Sequence, residues 1–304
     1  MDTVVVEVGP RDGLQNEAAS IPTTDKIAFI DRLSAAGLPV IEIGAFVNPK
    51  SVPQMADTGD VAAGITRRHG TRYTALVPNL RGLERAVEAK MDDVAIFAAA
   101  SETFSRRNIN QSIGESFATY ESVTRVATKA GIQVRGYLST AFGCPFEGEV
   151  PIDRVVTLTA RLLELGVHQV AISDTIGVAH PGQVRRLLEA LPDWIGLERL
   201  ALHFHDTRGT ALANVLAALD FGISTFDSSA GGLGGCPFAP GASGNLATED
   251  LLYMLHGLGR ATDIHLATVA AASRIIEPLV GHPLPSRYLQ AIGAGADRRH
   301  QGSS

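Results

Sequence analysis

The segment LALHFHDTRG, residues Leu200–Gly209, has the pattern of a short β-strand that ends in polar side chains. His203 and His205 are two positions apart, so on an extended strand both imidazoles project from the same face. Asp206 follows at once, and the chain then enters the amphipathic stretch TALANVLAALDFG, whose final glycine suits a helix end. The segment therefore predicts a β–α unit whose strand carries a polar end.

The same strand–helix pattern recurs along the chain. Eight runs with strand character precede helical stretches, at Thr3–Val8, Val40–Gly44, Thr71–Val77, Asp92–Ala98, Ile132–Ser139, His168–Ser173, Leu200–His205 and Ile223–Ser228. A count of eight favours a closed (β/α)8 TIM barrel over an open doubly wound sheet. The chain after Thr248 is expected to form the last barrel helix and a short C-terminal helical extension. Because no Pro/Gly/Ser-rich linker divides the sequence, residues 1–295 are predicted to form one domain, followed by a disordered tail at 296–304.

The composition excludes several classes of protein. The chain has 304 residues and a net charge of −6, which argues against a basic surface for nucleic acid. No apolar run reaches the ~18 residues of a membrane span. Two cysteines cannot supply a disulfide framework, and a first strand at Thr3 leaves no room for a signal peptide. These features predict a soluble, cytoplasmic protein that binds neither nucleic acid nor membrane.

Polar residues collect where a barrel carries its active site, at the carboxyl ends of the strands. Arg11 and Asp12 follow the first strand, Asp174 ends the sixth, and His203 and His205 end the seventh. Because the eighth strand closes onto the first, Asp12 is expected to lie near the two histidines. Imidazole and carboxylate ligands together suit Mg²⁺, Mn²⁺, Fe²⁺ or Zn²⁺. The competing interpretation is a polar patch at the end of a strand.

Glu42 and Arg11 are candidates for a buried pair. Glu42 lies between two isoleucines, so strand alternation turns its carboxylate into the barrel, where a charge without a partner is costly. Arg11 on the neighbouring strand is the natural partner. Arg11 has two interpretations of its own: it forms an exposed ion pair with Asp12, or it supplies a fixed cation for a developing oxyanion. Glu42 is interpreted as part of a structural salt bridge, as a support for the active site, or as both.

Cys236 lies in the glycine-rich stretch GGLGGCPFAPGASGN. One interpretation is an incidental surface thiol, and the other is a loop that folds over the barrel mouth and brings a thiol for proton transfer. Asn245, nine residues later, offers an amide oxygen that could complete an ion's shell. Cys144 has no such glycine run and is predicted to be structural.

Several long motifs resemble one family. VEVGPRDGLQNE, FVNPKSVPQM, SDTIGV, HFHDTRG and GGLGGCPFAPGASGNLATEDLLYML look like the 3-hydroxy-3-methylglutaryl-CoA lyases, and the resemblance runs from about residue 4 to 258. Those enzymes are metal-dependent TIM barrels that cleave an acyl-CoA into acetyl-CoA and a keto acid. The resemblance implies Mg²⁺ or Mn²⁺ and four ligands, Asp12, His203, His205 and Asn245.

The same resemblance implies roles in a retro-Claisen cleavage. Arg11 matches the arginine that stabilises the enolate oxygen, and Cys236 matches the loop cysteine of proton transfer. Glu42 and Asp174 match acidic residues that support the site. The base for the C3 hydroxyl is open between His203 and Asp174.

Departures from the family pattern leave the substrate open. Ala45 and Ala171 stand where the methylglutaryl-specific lyases commonly carry serine, and Arg208 and Thr210 replace tyrosine and glutamine. A preference for another thioester would locate specificity at Ala45, Ala171 and Arg208, near the barrel mouth. Citramalyl-CoA or a longer branched glutaryl-CoA is the alternative substrate.

Other functions remain as alternatives. A Claisen-condensing synthase of the same superfamily would share the Arg–Asp and His-x-His residues, but those synthases usually carry a long C-terminal regulatory region. A metal-dependent amidohydrolase would place its His-x-His pair near the first strand. A catalytically silent metal-binding barrel is the non-enzyme alternative. It is disfavoured because buried polar groups are costly and would have no function in it.

Contacts with CoA are predicted from a few basic residues, and contacts with other subunits from the family resemblance. Lys50, Arg106 and Arg107 lie in loops predicted to follow the second and fourth strands and are candidates for CoA phosphates. The family resemblance implies a homo-oligomer, a dimer or higher.

Overall fold

The computed structural model describes residues 2–235 and 244–293. Eight parallel strands pair in chain order and close into a barrel: β1 Val4–Glu7, β2 Val40–Ala45, β3 Arg72–Leu76, β4 Asp93–Ala99, β5 Gln133–Ser139, β6 Gln169–Asp174, β7 Leu200–Phe204 and β8 Thr225–Ser228. Closure joins β8 to β1, with Val4 in register with Thr225. The predicted TIM barrel is confirmed.

Helices follow the strands and cover the outside of the barrel. They are α1 Thr23–Ala35, α2 Thr58–Gly64, α3 Leu80–Glu88, α4 Glu102–Ile109, α5 Ile113–Lys129, α6 Ile152–Glu164, α7 Pro181–Ala190, α8 Ala211–Phe221, α9 Thr248–Gly257 and α10 Leu266–Val280. Helix α10 packs against α1 and forms the C-terminal extension with a further helical segment at 287–293. The domain bounds of 1–295 stay a prediction, and the predicted tail at 296–304 lies outside the described residues.

Sequence periodicity explains how these helices dock. In α6, Val155, Leu158 and Leu162 are buried at the spacing of one helix face, and they pack toward the strands. A Cβ at Gly136 of β5 would lie 3.5 Å from Leu162, an ordinary contact distance, so α6 packs directly on this strand. Each fully buried leucine contributes about 1.5–3 kcal/mol of transfer free energy, so the helix layer is held mainly by such contacts.

The inside of the barrel is polar at its carboxyl end. Glu42, Arg135, Tyr137 and Asp227 are buried there, and Arg135 of β5 reaches across the barrel to Asp227 of β8. Among the described residues, no helix is long and apolar enough to cross a membrane.

Candidate active site

A cavity of about 660 Å³ opens at the carboxyl ends of the strands. Every strand, or the loop that follows it, contributes to the wall; one residue from each in turn is Arg11, Asn48, Asn79, Phe97, Tyr137, Ser173, His203 and Gly235. The polar residues that are scattered in the sequence therefore meet in one place, as a parallel barrel requires.

Asp12, His203 and His205 form a candidate metal centre in this cavity. One ligand atom from each lies within 4.8 Å of the others. Asp12 Oδ2 is 4.0 Å from His203 Nε2 and 3.9 Å from His205 Nε2, and both histidines are buried. The i, i+2 spacing puts the two imidazoles on the same side of the chain at the end of β7, and barrel closure brings in the aspartate.

Asn245 adds a fourth polar group to the centre. Its Nδ2 donates to Asp12 Oδ2 at 2.9 Å and to the Leu233 carbonyl at 3.0 Å. Its Oδ1 is buried and has no hydrogen-bond partner among the described residues. A buried amide oxygen without a donor is costly, and a cation would satisfy it. The donor set of carboxylate, two imidazoles and an amide oxygen fits a divalent ion.

The electrostatics keep Asp12 and His205 in their ligating forms. Burial lowers the pKa of His205 to about 4, assisted by the charge of His203. Burial opposes ionisation of Asp12, but Arg11 and the two histidines outweigh it and hold the pKa of that carboxyl well below its usual range. A neutral imidazole and an ionised carboxylate are the forms that bind metal.

Arg11 is presented to the cavity by a tight turn, Gly9–Gly13. The backbone N–H groups of Arg11, Asp12 and Gly13 all donate to the Val8 carbonyl, at 3.1, 2.7 and 3.2 Å. The turn fixes the guanidinium, whose Nη1 donates to Asp12 Oδ1 at 2.5 Å and whose Nε donates to Glu42. Burial opposes the charge, but Glu42 and Asp12 raise the pKa of Arg11 above its ordinary value. Arg11 therefore carries a permanent, oriented positive charge.

Glu42 holds both Arg11 and Tyr137. Its second oxygen accepts a hydrogen bond from the Tyr137 hydroxyl, and the carboxylate itself is fully buried. The Arg11 guanidinium also lies 5.3 Å from the centre of the Tyr137 ring. Strand adjacency predicts the Arg11–Glu42 pair, and the structure contains it.

Three candidate functional residues were not predicted from the sequence: Arg135, Tyr137 and Asp227. Asp227 accepts two hydrogen bonds from Arg135, at 2.7 and 3.0 Å, and lies 3.2 Å from His203 Nδ1. Burial raises the pKa of Asp227, but Arg135 and His203 outweigh it, and the result is a lowered pKa. The sequence signal for Arg135 and Asp227 was a charged residue inside each of two apolar runs, IQVRGYLS and ISTFDS.

Asp174 is occupied by the backbone of its own loop. Its two oxygens accept from the N–H groups of Val178 and Ala179, both at 2.9 Å, and the residue does not line the cavity. Burial raises the pKa of Asp174 to about 6. The preceding residue, Ser173, lines the cavity in register with His203. This geometry favours a loop-shaping role for Asp174 over direct contact with a substrate.

Comparison with known proteins assigns the family. A family model described as HMGL-like matches residues 3–276. Hydroxymethylglutaryl-CoA lyase YngG of Bacillus subtilis (strain 168) is 52% identical over 288 residues, which are 95% of this chain and 96% of that protein. This chain belongs to the hydroxymethylglutaryl-CoA lyase-like family. It is accordingly a carbon–carbon lyase.

Two further lyases are similar over nearly the whole chain. A Pseudomonas aeruginosa protein named 3-hydroxy-3-isohexenylglutaryl-CoA/hydroxy-methylglutaryl-CoA lyase is 50% identical over 292 residues, 96% of this chain and 97% of that one. A solved HMG-CoA lyase structure from Acinetobacter baumannii, in complex with coenzyme A and 3-methylmalate, has a TM-score of 0.91 and 43% identity, and the match covers 95% of each chain.

The three basic residues considered for CoA lie in different environments in this lyase. Arg107 lines the cavity, with its guanidinium 4.2 Å from the centre of the Phe146 ring. Arg106 is 62% exposed and pairs with Glu102 at 3.0 Å. Lys50 is exposed and does not line the cavity. The structure therefore brings only Arg107 to the site. Cys236 lies outside the described residues.

The expectation that specificity lies at Ala45, Ala171 and Arg208 is corrected, because none of the three lines the cavity. Ala45 and Ala171 are fully buried, and neither lines the cavity. Arg208 Nη1 donates to the carbonyls of Ile176 and Gly177, at 3.1 and 2.8 Å, because the loop after β6 offers it acceptors. Thr210 donates to the Ala179 carbonyl in the same way. These positions shape strands and loops behind the site.

Proposed function

We propose that this lyase cleaves 3-hydroxy-3-methylglutaryl-CoA to acetyl-CoA and acetoacetate at a divalent ion, Mg²⁺ or Mn²⁺. The observation that carries the proposal is the convergence of Asp12, His203 and His205 beside the buried cation Arg11 in one cavity. The names of the similar proteins support the substrate.

Asp12, His203, His205 and Asn245 would hold the ion. The ion would supply Lewis-acid chemistry, orienting the C3 hydroxyl of the substrate and lowering its pKa. Oxygen and imidazole donors without a thiolate favour Mg²⁺ or Mn²⁺ over a structural zinc. The buried, unpaired Oδ1 of Asn245 supports this ligand set.

Arg11 faces the thioester in this proposal. Breaking the C2–C3 bond leaves negative charge on the thioester oxygen, and a fixed cation already oriented there lowers the barrier without reorganisation. Glu42 and Asp12 hold the guanidinium from two sides, so it does not swing away when charge develops. Glu42 acts as a supporting group and does not touch the substrate.

Two proton transfers complete the reaction. Neither of the two candidate bases for the C3 hydroxyl is free: His203 lines the cavity but would give its Nε2 to the ion, and the oxygens of Asp174 accept from the backbone amides of Val178 and Ala179. Cys236 is proposed to protonate the enolate from the glycine-rich loop that begins beside Gly235. Gly235 lines the cavity and its carbonyl accepts from Asn16 at 3.0 Å, so the loop starts at the site.

CoA is proposed to approach along the wall that carries Arg107. The Acinetobacter baumannii lyase was solved with coenzyme A, which supports a CoA site in this family. The stack on Phe146 holds the Arg107 guanidinium at the cavity, where a phosphate or the pantetheine chain would meet it. Lys50 and Arg106 are not favoured as CoA ligands.

A longer branched 3-hydroxyglutaryl-CoA is the second candidate substrate. The Pseudomonas aeruginosa relative is named for the isohexenyl as well as the methyl thioester. The cavity wall also carries apolar side chains, among them Leu76, Phe97 and Phe104, that would suit an aliphatic branch. Citramalyl-CoA is the third candidate, and the lyase names of the relatives disfavour a condensing synthase.

A coupled assay for acetyl-CoA release tests the proposal. The enzyme with Mn²⁺ or Mg²⁺ is compared by kcat/KM on the methylglutaryl, isohexenylglutaryl and citramalyl thioesters. The expected result is chelator-sensitive cleavage with the methylglutaryl thioester preferred. Preference for the isohexenyl thioester would establish the second candidate, and no cleavage of any thioester would exclude lyase action on this substrate class.

Location and assembly are proposed from the composition and from the family resemblance. The cysteine content favours a cytoplasmic location, which cell fractionation would check. The family resemblance favours a dimer or higher homo-oligomer, which sedimentation would check. Cleavage of the methylglutaryl thioester would suit leucine degradation or ketone-body formation.

A further inference from the structure

His203 and His205 differ in what holds their Nδ1 atoms. His203 Nδ1 lies 3.2 Å from Asp227 Oδ2, on the side of the ring away from Asp12. His205 Nδ1 is buried and has no hydrogen-bond partner among the described residues. Within the part of the chain that the structure describes, His203 alone of these two histidines therefore has a side chain behind its Nδ1 that sets its ring.

Asp227 can act toward His203 only as an acceptor. Arg135 donates to both of its oxygens, Nη2 to Oδ1 at 2.7 Å and Nη1 to Oδ2 at 3.0 Å, and both side chains are almost fully buried. Such a two-pronged pair fixes an ionised carboxylate, which has no proton to donate. The contact with His203 therefore requires the imidazole to carry its hydrogen on Nδ1.

That choice of tautomer determines what the other ring nitrogen presents. A neutral imidazole carries one N–H, so a proton on Nδ1 leaves Nε2 with a free lone pair. His203 Nε2 faces Asp12 Oδ2 at 4.0 Å, which is too long for a hydrogen bond between them. Tyr137 also packs edge-on against the His203 ring, with ring centres 6.1 Å apart and an angle of 84°. The contact with Asp227 and the packing of Tyr137 thus fix both the orientation of the His203 ring and its tautomer.

We propose that Arg135 and Asp227 are positioning residues that lock His203 in the Nδ1–H tautomer and so present Nε2 to the divalent ion. The part concerning the ion rests on the proposed function, whereas the tautomer is a property of the metal-free protein. Partners behind a metal-ligating histidine typically change metal affinity by about 10- to 100-fold when removed.

The test replaces the ion pair by apolar side chains of similar size, Arg135→Met with Asp227→Leu. Replacing both partners of a buried ion pair tends to preserve or increase stability, so the barrel is expected to fold. Ring ¹⁵N spectra of the metal-free enzyme at one mildly alkaline pH report the tautomer, and a His203→Gln variant assigns the signal. Mn²⁺ binding is then followed by the electron paramagnetic resonance of the free ion.

A second two-pronged pair, at the other end of the barrel, supplies the control. Arg72 donates to both oxygens of Asp93, at 2.6 and 2.5 Å, at the start of β3 and β4. The variant Arg72→Met with Asp93→Leu makes the same two substitutions at a pair far from the histidines, whose arginine is half exposed. It is expected to keep the wild-type tautomer of His203 and the wild-type Kd for Mn²⁺.

The expected result is a single Nδ1–H tautomer for His203 in the wild type, and a mixture in the Arg135→Met/Asp227→Leu variant with a Kd for Mn²⁺ raised about 10- to 100-fold. A wild-type His203 that carries its proton on Nε2, or a tautomer unchanged in the variant, overturns the inference. The wild-type spectrum decides this even if a variant fails to fold. A wild type that binds no Mn²⁺ but shows the Nδ1–H lock would count against the metal site alone.

Discussion

The Arg11 guanidinium is joined to the Glu42 carboxylate inside the barrel, with both side chains more than nine-tenths buried. The pair links the turn after β1 to the neighbouring strand β2, and Asp12 binds the same guanidinium from the cavity side. A cation held by two carboxylates is fixed in direction, which is the property that charge stabilisation in a transition state requires.

Arg11→Lys keeps the positive charge but loses the planar fork that pairs with Glu42 and Asp12. We expect kcat to fall by about 10²- to 10³-fold, because the charge no longer points at one position. Steady-state kinetics on the methylglutaryl thioester measure this. Arg85→Lys, which alters an arginine on α3 that stacks on Phe46, is the control and is expected to retain wild-type kcat. A wild-type kcat for Arg11→Lys would refute the role.

Arg107 and Arg106 make a natural pair of variants because they are neighbours on α4 with different surroundings. Arg107→Ala is expected to raise KM for the CoA thioester about 10-fold or more, since a charge-assisted hydrogen bond contributes about 1.5–3 kcal/mol. Arg106→Ala is expected to leave KM unchanged, because its guanidinium pairs with Glu102 at the surface. Equal effects from the two variants would contradict the assignment of Arg107 to the CoA wall.

Arg208 is predicted to act on stability and not on specificity. Arg208→Ala removes two donors from the carbonyls of Ile176 and Gly177, so the melting temperature is expected to fall. The ratio of kcat/KM values for the methylglutaryl and isohexenyl thioesters is expected to stay at the wild-type value. Ala45→Ser and Ala171→Ser are expected to leave that ratio unchanged as well. A shifted ratio in any of these variants would return specificity to these positions.

Glu7 is predicted to make the stability of the fold depend on pH. It is fully buried, accepts from the N–H groups of Gly9 and Ala230 and from the Thr248 hydroxyl, and burial raises its pKa to about 8 from an ordinary value of 4.5. Between these two values the folded chain holds a proton that the unfolded chain releases. The contribution of Glu7 to the free energy of unfolding is therefore fully present below the lower value. It falls as pH rises through this range, by about 1.4 kcal/mol per pH unit.

Glu7→Gln mimics the protonated carboxyl and is expected to remove the contribution of Glu7 to this slope, whereas Glu249 and Asp174, whose pKa values burial raises to about 7 and about 6, keep theirs. Urea unfolding at several pH values between the two pKa values measures it. Glu84→Gln on the exposed face of α3 is the control, expected to leave the wild-type slope. A wild-type slope in Glu7→Gln would show that another group is responsible.

Much of the architecture was predictable because it depends on local periodicity. Strand runs and helix ends recur eight times, and closure of β8 onto β1 then brings Asp12 to His203 and His205 without any tertiary information. The Arg11–Glu42 pair followed from neighbouring strands and from alternation. Each of these inferences needs only strand order and side-chain direction.

Contacts across the barrel were not predictable. Arg135 and Asp227 are 92 residues apart on strands that do not pair, so neither alternation nor adjacency connects them. Arg106 and Arg107 could not be distinguished because consecutive helix residues point about 100° apart and the phase of α4 was unknown. Arg208 was misplaced because its acceptors are backbone carbonyls of another loop, which have no signature in the sequence.

The most direct test of the account follows both products formed from 3-hydroxy-3-methylglutaryl-CoA. We predict that the Mn²⁺-loaded enzyme releases acetyl-CoA and acetoacetate in equal amounts, that a chelator stops both, and that added Mn²⁺ restores both. Asp12→Asn, which removes one carboxylate ligand at constant size, is expected to be folded and inactive. Failure of the folded, Mn²⁺-loaded enzyme to release either product, or release that persists in Asp12→Asn with chelator, would contradict the account.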